Sequence, residues 1–161
     1  MWFIKLWHHI ICVIQMMLLK LLYGKRFQIG KHVTWRSDFS VMIDNNGSVA
    51  IGDDCFFNNG CSIASNQKIT IGEGTLFGEN VKVYDHNHRF RNAVMPIKKQ
   101  GFSNGSVSIG KHCWIGSNVV ILKGALIEDN CVIGAGCVID HTIKEGSIVK
   151  QQQNVIVSCI M

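Results

Sequence analysis

The sequence predicts an all-β fold, a parallel β-helix built from hexapeptide repeats, with a hydrophobic N-terminal helix and one long excursion loop. Three observations predict it. Between Val107 and Ile139 an aliphatic residue recurs at every sixth position, a period that belongs to neither an α-helix nor an ordinary strand. A small or β-branched residue stands two positions before each of them, and glycine follows three of them. The aliphatic positions are Ile109, Ile115, Ile121, Ile127, Ile133 and Ile139.

Each six-residue unit is expected to supply one short strand and one corner, so that three units complete a triangular coil. The isoleucine points into the tube and stacks on its counterpart in the next coil. Gly110, Gly116 and Gly134 follow isoleucines at the corners, where we expect glycine because it tolerates unusual backbone dihedrals. Chain length sets the number of coils in a solenoid, so 161 residues predict one domain with short appendages.

The N-terminal segment, residues 1–26, is rich in Leu, Ile, Met and Trp and is predicted to be a helix that stops near Gly24. Lys5 and Lys20 enclose fourteen residues, fewer than the roughly 20 that span a bilayer. No small-residue cleavage site follows, which argues against a signal peptide. Two interpretations remain open and can coexist. The helix caps the open end of the solenoid, or it lies in the plane of a membrane. In the second case the headgroup level would hold Trp2, Trp7, Lys20, Lys25 and Arg26.

The repeat region is expected to run over residues 27–149, followed by a C-terminal tail at 150–161. The repeat phase shifts at residues 44–47 and again at 65–67, and it stops altogether over residues 84–106. That loop holds the one proline of the sequence, Pro96. A long loop in an otherwise continuous solenoid is usually functional.

Five of the seven cysteines stand two positions before an inward-pointing residue, where a small apolar side chain is required. They are Cys55, Cys61, Cys113, Cys131 and Cys137. The sequence has no C-x-x-C pair, so packing is predicted rather than disulfides or a metal cluster. Free cysteines are typical of a reducing compartment, and we therefore expect a cytoplasmic protein.

The net charge of +5 suits an anionic cofactor or a membrane surface without choosing between them. No basic run is interleaved with aromatic residues, so nucleic acid is not a predicted partner.

The strongest chemical motif stands where the periodic run breaks into the loop: Asp85, His86, Asn87, His88 and Arg89. Two histidines at i and i+2 on an extended segment point to the same side. Histidine is the side chain best suited to move a proton near neutral pH, so this motif is the candidate catalytic centre. A zinc site would need three or four ligands, and the other histidines lack ligand-like spacing, so no metal is predicted.

Two corners carry further candidates. Asn58 follows the inward Phe57, where it either forms the turn or hydrogen-bonds a substrate hydroxyl. Trp114 is expected on the outer face, where an exposed aromatic suits a ligand or a neighbouring subunit. Backbone N–H groups near Gly116 and Ser117 are candidate donors to a ligand.

These motifs resemble the hexapeptide-repeat O-acetyltransferases, which include galactoside, maltose and virginiamycin acetyltransferases and many polysaccharide O-acetyltransferases. The resemblance covers about residues 27–149 and is most specific at Asp85–His88, the loop with its Met-Pro-Ile, residues 108–121 and Gly134-Ala135-Gly136. It implies a left-handed parallel β-helix, a homotrimer, and acetyl-CoA in a groove between two subunits.

The same resemblance implies roles for single residues. His88 corresponds to the catalytic base, with His86 as the alternative. Asn58 corresponds to the residue that contacts the acceptor, and Asp85 and Arg89 are also expected to bind it. The implied cofactor contacts are Trp114, Gly116, Ser117, Ala135 and Gly136. The implied reaction is direct transfer: the histidine takes the proton of a sugar hydroxyl, which attacks the thioester, and a backbone N–H holds the oxyanion.

The sequence departs from the family pattern at its C-terminal end. Asp140-His141 stands where the family usually has a basic residue, and residues 150–154 lack the usual proline. The expected function is nevertheless O-acetylation in cell-surface polysaccharide biosynthesis, because the hydrophobic N-terminus suits a lipid-linked acceptor at the inner face of the membrane. A catalytically silent trimeric scaffold is the alternative. A zinc lyase of the γ-carbonic anhydrase type would need a histidine pair at i and i+5, which the sequence lacks.

Overall fold

The hexapeptide pattern folds into a parallel β-solenoid of about six turns in the computed structural model, which describes residues 2–44 and 46–152. The chain begins with helix α1 (Trp2–Tyr23) and a short 3-10 turn (Gly24–Arg26). The strands up to the loop are β1 (Phe27–Ile29), β2 (Thr34–Trp35), β3 (Ser40–Ile43), β4 (Val49–Ile51), β5 (Phe56–Phe57), β6 (Ser62–Ser65), β7 (Ile69–Ile71), β8 (Leu76–Phe77), β9 (Lys82–Tyr84) and β10 (His86–His88). After a 3-10 turn (Ile97–Lys99) follow β11 (Phe102–Asn104), β12 (Val107–Ile109), β13 (Trp114–Ile115), β14 (Val120–Ile121), β15 (Leu126–Ile127), β16 (Val132–Ile133), β17 (Val138–Ile139), β18 (Thr142–Ile143) and β19 (Ile148–Val149).

Three parallel sheets form the walls of the tube, and the chain visits them in turn. The first sheet has the order β1-β4-β7-β12-β15-β18, the second β2-β5-β8-β13-β16-β19, and the third β3-β6-β9-β14-β17. Each pass through the three sheets is one coil. The excursion loop, which leaves between the third and first sheets, carries the antiparallel pair β10-β11. The predicted fold class is thereby confirmed.

The inward residues stack in columns, one for each sheet. In the second sheet the column starts with aromatic rings and continues with aliphatic side chains. The Phe57 and Phe77 rings stack at 4.5 Å, and Ile115 and Ile133 continue the column fully buried. Burial of this apolar column supplies the driving force that holds successive coils together, at roughly 25 cal/mol per Å².

The repeat cysteines are free and buried, which confirms their predicted role in packing. Their thiols also reach the next coil: Cys55 Sγ donates to the Gly72 carbonyl at 3.1 Å and Cys131 Sγ to the Lys144 carbonyl at 3.1 Å. Burial raises the pKa of the Cys55 and Cys113 thiols, although backbone hydrogen bonds partly oppose it. These thiols therefore remain protonated near neutral pH.

The reason for the corner glycines differs from the predicted one. Gly110, Gly116 and Gly134 do not have positive φ, whereas Asn118 and Gly136, two residues beyond a corner glycine, do. A Cβ on Gly116 would lie 2.7 Å from the Ala135 nitrogen of the next coil. The corner glycines are therefore required by close contact between coils, and the left-handed backbone falls on the residue that ends the turn.

Helix α1 lies across the N-terminal end of the tube. Its Cys12 and Leu19 are buried, and Gln15 donates from Nε2 to the Phe39 carbonyl at 2.7 Å and accepts the indole N–H of Trp35 at 2.9 Å. The capping contact that the sequence allowed is thus present. Within the described residues, no helix combines the length and the hydrophobicity that crossing a bilayer requires.

Candidate active site

The candidate site begins where the chain leaves the third sheet in the third coil. Instead of turning directly into the next strand of the first sheet, it runs outward as β10 and returns as β11. His86 pairs with Asn104 and His88 with Phe102 across this hairpin. The Gly105 N–H donates to the Asp85 carbonyl at 2.8 Å, which closes the base of the loop.

Asp85 anchors the loop to the coil beneath it. Its side chain is 0% exposed, and its carboxylate accepts hydrogen bonds from the Ser65 hydroxyl at 2.7 Å, the Asn66 N–H at 2.7 Å and the Gln67 N–H at 2.8 Å. Burial raises the pKa of Asp85, but these donors and His86 together outweigh it, so the pKa lies below its ordinary value. The carboxylate is therefore ionised and fixed in position.

His86 is held by that carboxylate. Its Nδ1 lies 3.1 Å from Asp85 Oδ1, and its side chain is 19% exposed. An ionised carboxylate only accepts, so in the neutral imidazole the proton is on Nδ1 and Nε2 is the lone-pair acceptor. The ring meets Phe102 edge-on at 5.1 Å, which further limits its rotation. This is the arrangement of a general base with an orienting acid.

His88 lies on the same side of β10 but in a different environment. It is exposed, and its ring packs on Phe102 at 4.6 Å. Among the described residues, no acidic side chain hydrogen-bonds to it. Phe102 therefore contacts both imidazoles, as the predicted i, i+2 arrangement requires, but only His86 has an orienting partner.

A cleft of about 730 Å³ opens beside His88 along the loop. Four basic side chains line it: Arg89, Arg91, Lys99 and Lys123. None of its described lining residues is acidic. The cleft therefore presents positive charge next to His88, whereas His86 is not among its lining residues.

The structure corrects the predicted role of Asp85. We expected it to contact substrate, but its carboxylate is enclosed by its own hydrogen-bond donors and is not accessible. Its side chain contacts His86 instead. Arg89, the other predicted substrate contact on the loop, is exposed and lines the cleft.

Asn58 lies at a different corner, between the second and third sheets in the second coil. Its Oδ1 accepts the Asn59 N–H at 2.9 Å and Arg36 Nη1 at 3.4 Å, so the turn-forming interaction is present. The chain does not bring Asn58 to His86, because they occupy different corners of the triangle.

Four of the five predicted cofactor residues line a single groove of about 370 Å³: Trp114, Gly116, Ser117 and Ala135. Trp114 is exposed on the outer face, as predicted. Gly136 is not part of the groove; it is a left-handed turn residue with φ of 75°. The Gly116 N–H is used by the coil itself, since it donates to the Ile133 carbonyl at 2.7 Å. Of the two predicted backbone donors, Ser117 is the remaining candidate.

Lys150 also lines this groove, and sequence reasoning missed it. Ile133 pairs with Val149, so Lys150 stands in the column of Gly116 and Gly134, where a basic side chain faces the groove. The register of the last strand would have revealed it.

Within the described residues, no group of three or more His, Cys, Asp or Glu side chains is placed to hold a metal ion.

The residues beneath the loop were also missed. In the sequence, Ser65, Asn66 and Gln67 mark only a shift of phase, yet in the structure they supply the hydrogen bonds that hold Asp85. Asn66 is 5% exposed, and its Oδ1 has no hydrogen-bond partner among the described residues. The shift of phase one coil before the loop was the available signal, because it marks a corner of altered shape.

Comparison with known proteins places these features in context. A family model described as bacterial transferase hexapeptide (six repeats) matches residues 106–141. The chain is 31% identical over 110 residues, 64% of this chain and 56% of the relative, to a protein of Escherichia coli (strain K12) provisionally named a lipopolysaccharide biosynthesis O-acetyl transferase. It is 33% identical over 101 residues to galactoside O-acetyltransferase of Escherichia coli (strain K12), covering 60% of this chain and 46% of that enzyme.

Among solved structures, the fold is similar to that of a galactoside acetyltransferase in complex with coenzyme A. The TM-score is 0.61 at 29% sequence identity, and the match covers 73% of this chain and 57% of that one. The chain spans about half the length of the curated relatives it matches.

Proposed function

We propose that the chain is an acetyl-CoA-dependent O-acetyltransferase that acts on a sugar hydroxyl, and that it belongs to the hexapeptide transferases whose family model matches residues 106–141. The observation that carries this proposal is the hydrogen bond between Asp85 and His86, two residues before His88, which lines a loop cleft large enough for a saccharide. Relatives named as O-acetyltransferases and a similar structure with coenzyme A support the reaction class and the co-substrate.

His86 is the proposed base, in place of His88. Its Nε2 takes the proton of the acceptor hydroxyl as the oxygen attacks the thioester carbonyl. The negative charge of Asp85 stabilises the imidazolium that forms, and the Ser117 N–H is the proposed donor to the oxyanion. When the intermediate collapses, the carbon–sulfur bond breaks and the imidazolium returns its proton to the departing thiolate.

The groove that contains Trp114 and Lys150 is the proposed cofactor site. Lys150 supplies a cation for the phosphates of CoA, and Trp114 supplies an apolar face for its chain. The sequence argument for a silent scaffold depended on an atypical C-terminal end without such a cation, so it is weakened by the position of Lys150.

A homotrimer completes this site. The loop that carries His86 starts at the corner between the third and first sheets, whereas the groove lies at the corner between the second and third sheets. The two lie at different corners of one tube, so a neighbouring subunit is proposed to supply the second half. Asn58, at the groove's corner, would then face the histidine of that neighbour.

The acceptor is proposed to be a saccharide with an anionic group, in a cell-surface polysaccharide pathway. Arg89, Arg91, Lys99 and Lys123 around the cleft favour a phosphate or carboxylate, because no acidic group among its described lining residues offsets them. The named role of the lipopolysaccharide relative supports the polysaccharide setting.

The decisive experiment measures thiol release from acetyl-CoA with matched neutral and acidic sugars, for wild type, His86→Ala and His88→Ala. We expect His86→Ala to lower kcat by about 10²- to 10⁴-fold, because it removes the base. His88→Ala, a change of the same residue type two positions away, is expected to lower kcat by less than about tenfold.

Equal rates for all three proteins would contradict the enzymatic proposal. A large loss confined to His88→Ala would return the base to His88. A preference for neutral sugars would contradict the proposed anionic acceptor and would leave the proposed reaction unaffected.

A further inference from the structure

Helix α1 has two different faces along its length. The inner face is fixed to the tube by buried Cys12 and Leu19, with Met16 and Tyr23 packed against the core. Gln15 adds hydrogen bonds on this side. The helix is therefore held against the tube on this side, and its opposite face points away from the solenoid.

That outer face is apolar and exposed to water. In the described part of α1 its large side chains are Trp7, Ile10, Ile11, Val13, Ile14, Met17, Leu18, Leu21 and Leu22. Leu21 is 84% exposed and Leu22 69% exposed. At 100° per residue these positions fill a continuous arc of about 180°, and they extend over about 22 Å. An apolar face of this width on a surface helix marks a contact that the single chain leaves unmade.

Positive charge is concentrated at the N-terminal end of the molecule, where α1 lies. Residues 1–37 contain six Lys and Arg and no Asp or Glu, whereas residues 38–161 contain ten basic and eleven acidic residues. The excess positive charge of the chain thus belongs to α1 and the first coil. Lys20 is exposed and falls at the edge of the apolar arc, and Lys25 is exposed just after the helix. An occupant of this face has to be both apolar and anionic.

We propose that α1 docks the protein, in the plane of the membrane, on an anionic lipid surface. The apolar arc enters the boundary between headgroups and acyl chains, and the basic side chains contact lipid phosphates. The helix does not cross the bilayer, since its inner face is committed to the tube. A coiled-coil partner would need a narrower apolar stripe, and it would not require the absence of acidic residues from the first 37.

The test is co-sedimentation of the full chain with phosphatidylcholine vesicles and with vesicles of two parts phosphatidylcholine to one part phosphatidylglycerol. The wild type is expected to bind the anionic vesicles and to bind the neutral ones at least about tenfold more weakly. The double variant Leu21→Ser/Leu22→Ser is expected to bind the anionic vesicles at least about tenfold more weakly than the wild type, because the two side chains no longer enter the acyl region. Lys20→Glu/Lys25→Glu is expected to remove the preference for phosphatidylglycerol.

Val94→Ser is the matched control, because Val94 is an exposed apolar residue of the loop, away from α1. It should bind like the wild type. Thermal unfolding verifies that the leucine variant folds, which is expected because both side chains are exposed.

Two results would overturn the proposal. One is a wild type that binds neither vesicle. The other is a leucine variant that folds and binds as well as the wild type. If the wild type does not bind vesicles but self-associates through α1 in sedimentation velocity, the apolar face of α1 binds a second copy of the chain instead.

Discussion

Asp85 is the residue on which the candidate site depends. It connects the loop to the previous coil and lies within hydrogen-bond distance of His86 Nδ1. Besides His86, three donors surround its carboxylate, and two of them are backbone N–H groups, which depend on no side-chain rotamer of their own. In the proposed mechanism Asp85 is a positioning residue, because it would act on the reaction through the imidazole of His86.

We expect Asp85→Asn to lower the free energy of unfolding by about 2 kcal/mol at neutral pH, because the amide NH₂ cannot accept the donors around it. The native pKa of Asp85 is depressed, so its stabilisation is present above the unfolded pKa and is lost as the pH falls through the native value. The wild type should therefore lose stability in acid over this range, and the variant should lose less. Urea unfolding at a series of pH values measures both effects.

Asp140→Asn is the control for this change. Asp140 also contacts the histidine that follows it, His141, at 2.9 Å, but both side chains are exposed. A pair of this kind in solvent is worth little, so stability should change by less than about 1 kcal/mol. If Asp85→Asn behaved like Asp140→Asn in stability and in kcat, Asp85 would have no positioning role.

Helix α1 is the element that closes the solenoid at its N-terminal end. Its contact with the first coil is partly polar, since Gln15 bridges the Trp35 indole and the Phe39 carbonyl. Trp35 is buried at the start of the aromatic column, so its N–H has to find an acceptor inside the protein. Gln15 thus joins the helix to the core.

Gln15→Ala is expected to destabilise the protein by about 2 kcal/mol, because it leaves the buried indole N–H without a partner. For a chain of this size the melting temperature should fall by about 4–8 °C, as circular dichroism would record. Gln28→Ala is the comparison, because Gln28 is exposed on β1. Equal melting temperatures for the two variants would show that the bridge contributes nothing.

The whole molecule is a triangular tube whose candidate groups occupy different corners. The Asp85–His86 pair belongs to the corner between the third and first sheets, and the groove with Trp114 and Lys150 to the corner between the second and third. If catalysis needs both, each site is shared between subunits.

Subunit mixing tests this consequence. His86→Ala removes the proposed base, and Ala135→Trp fills the groove, so each variant alone should be inactive. In randomly mixed trimers a site is intact when one neighbour supplies His86 and the other supplies the open groove, which happens in about a quarter of sites. Acetyl transfer by the mixture should therefore recover to about a quarter of the wild-type rate. No recovery from a mixture that forms trimers would place the whole site within one chain.

The sequence by itself determined the tube, because a six-residue period is local and each inward isoleucine stacks on its own counterpart. It also located the loop and the groove residues, since both are marked by motifs within one stretch of chain. Only the tertiary structure shows that His86 rather than His88 has a carboxylate partner, because the donors that fix Asp85 come from the coil before it. Likewise, only packing showed that the Gly116 N–H is already used, that Lys150 faces the groove, and which half of α1 remains exposed. Those outcomes depend on the register between coils and on contacts at the end of the tube, which a linear pattern does not contain.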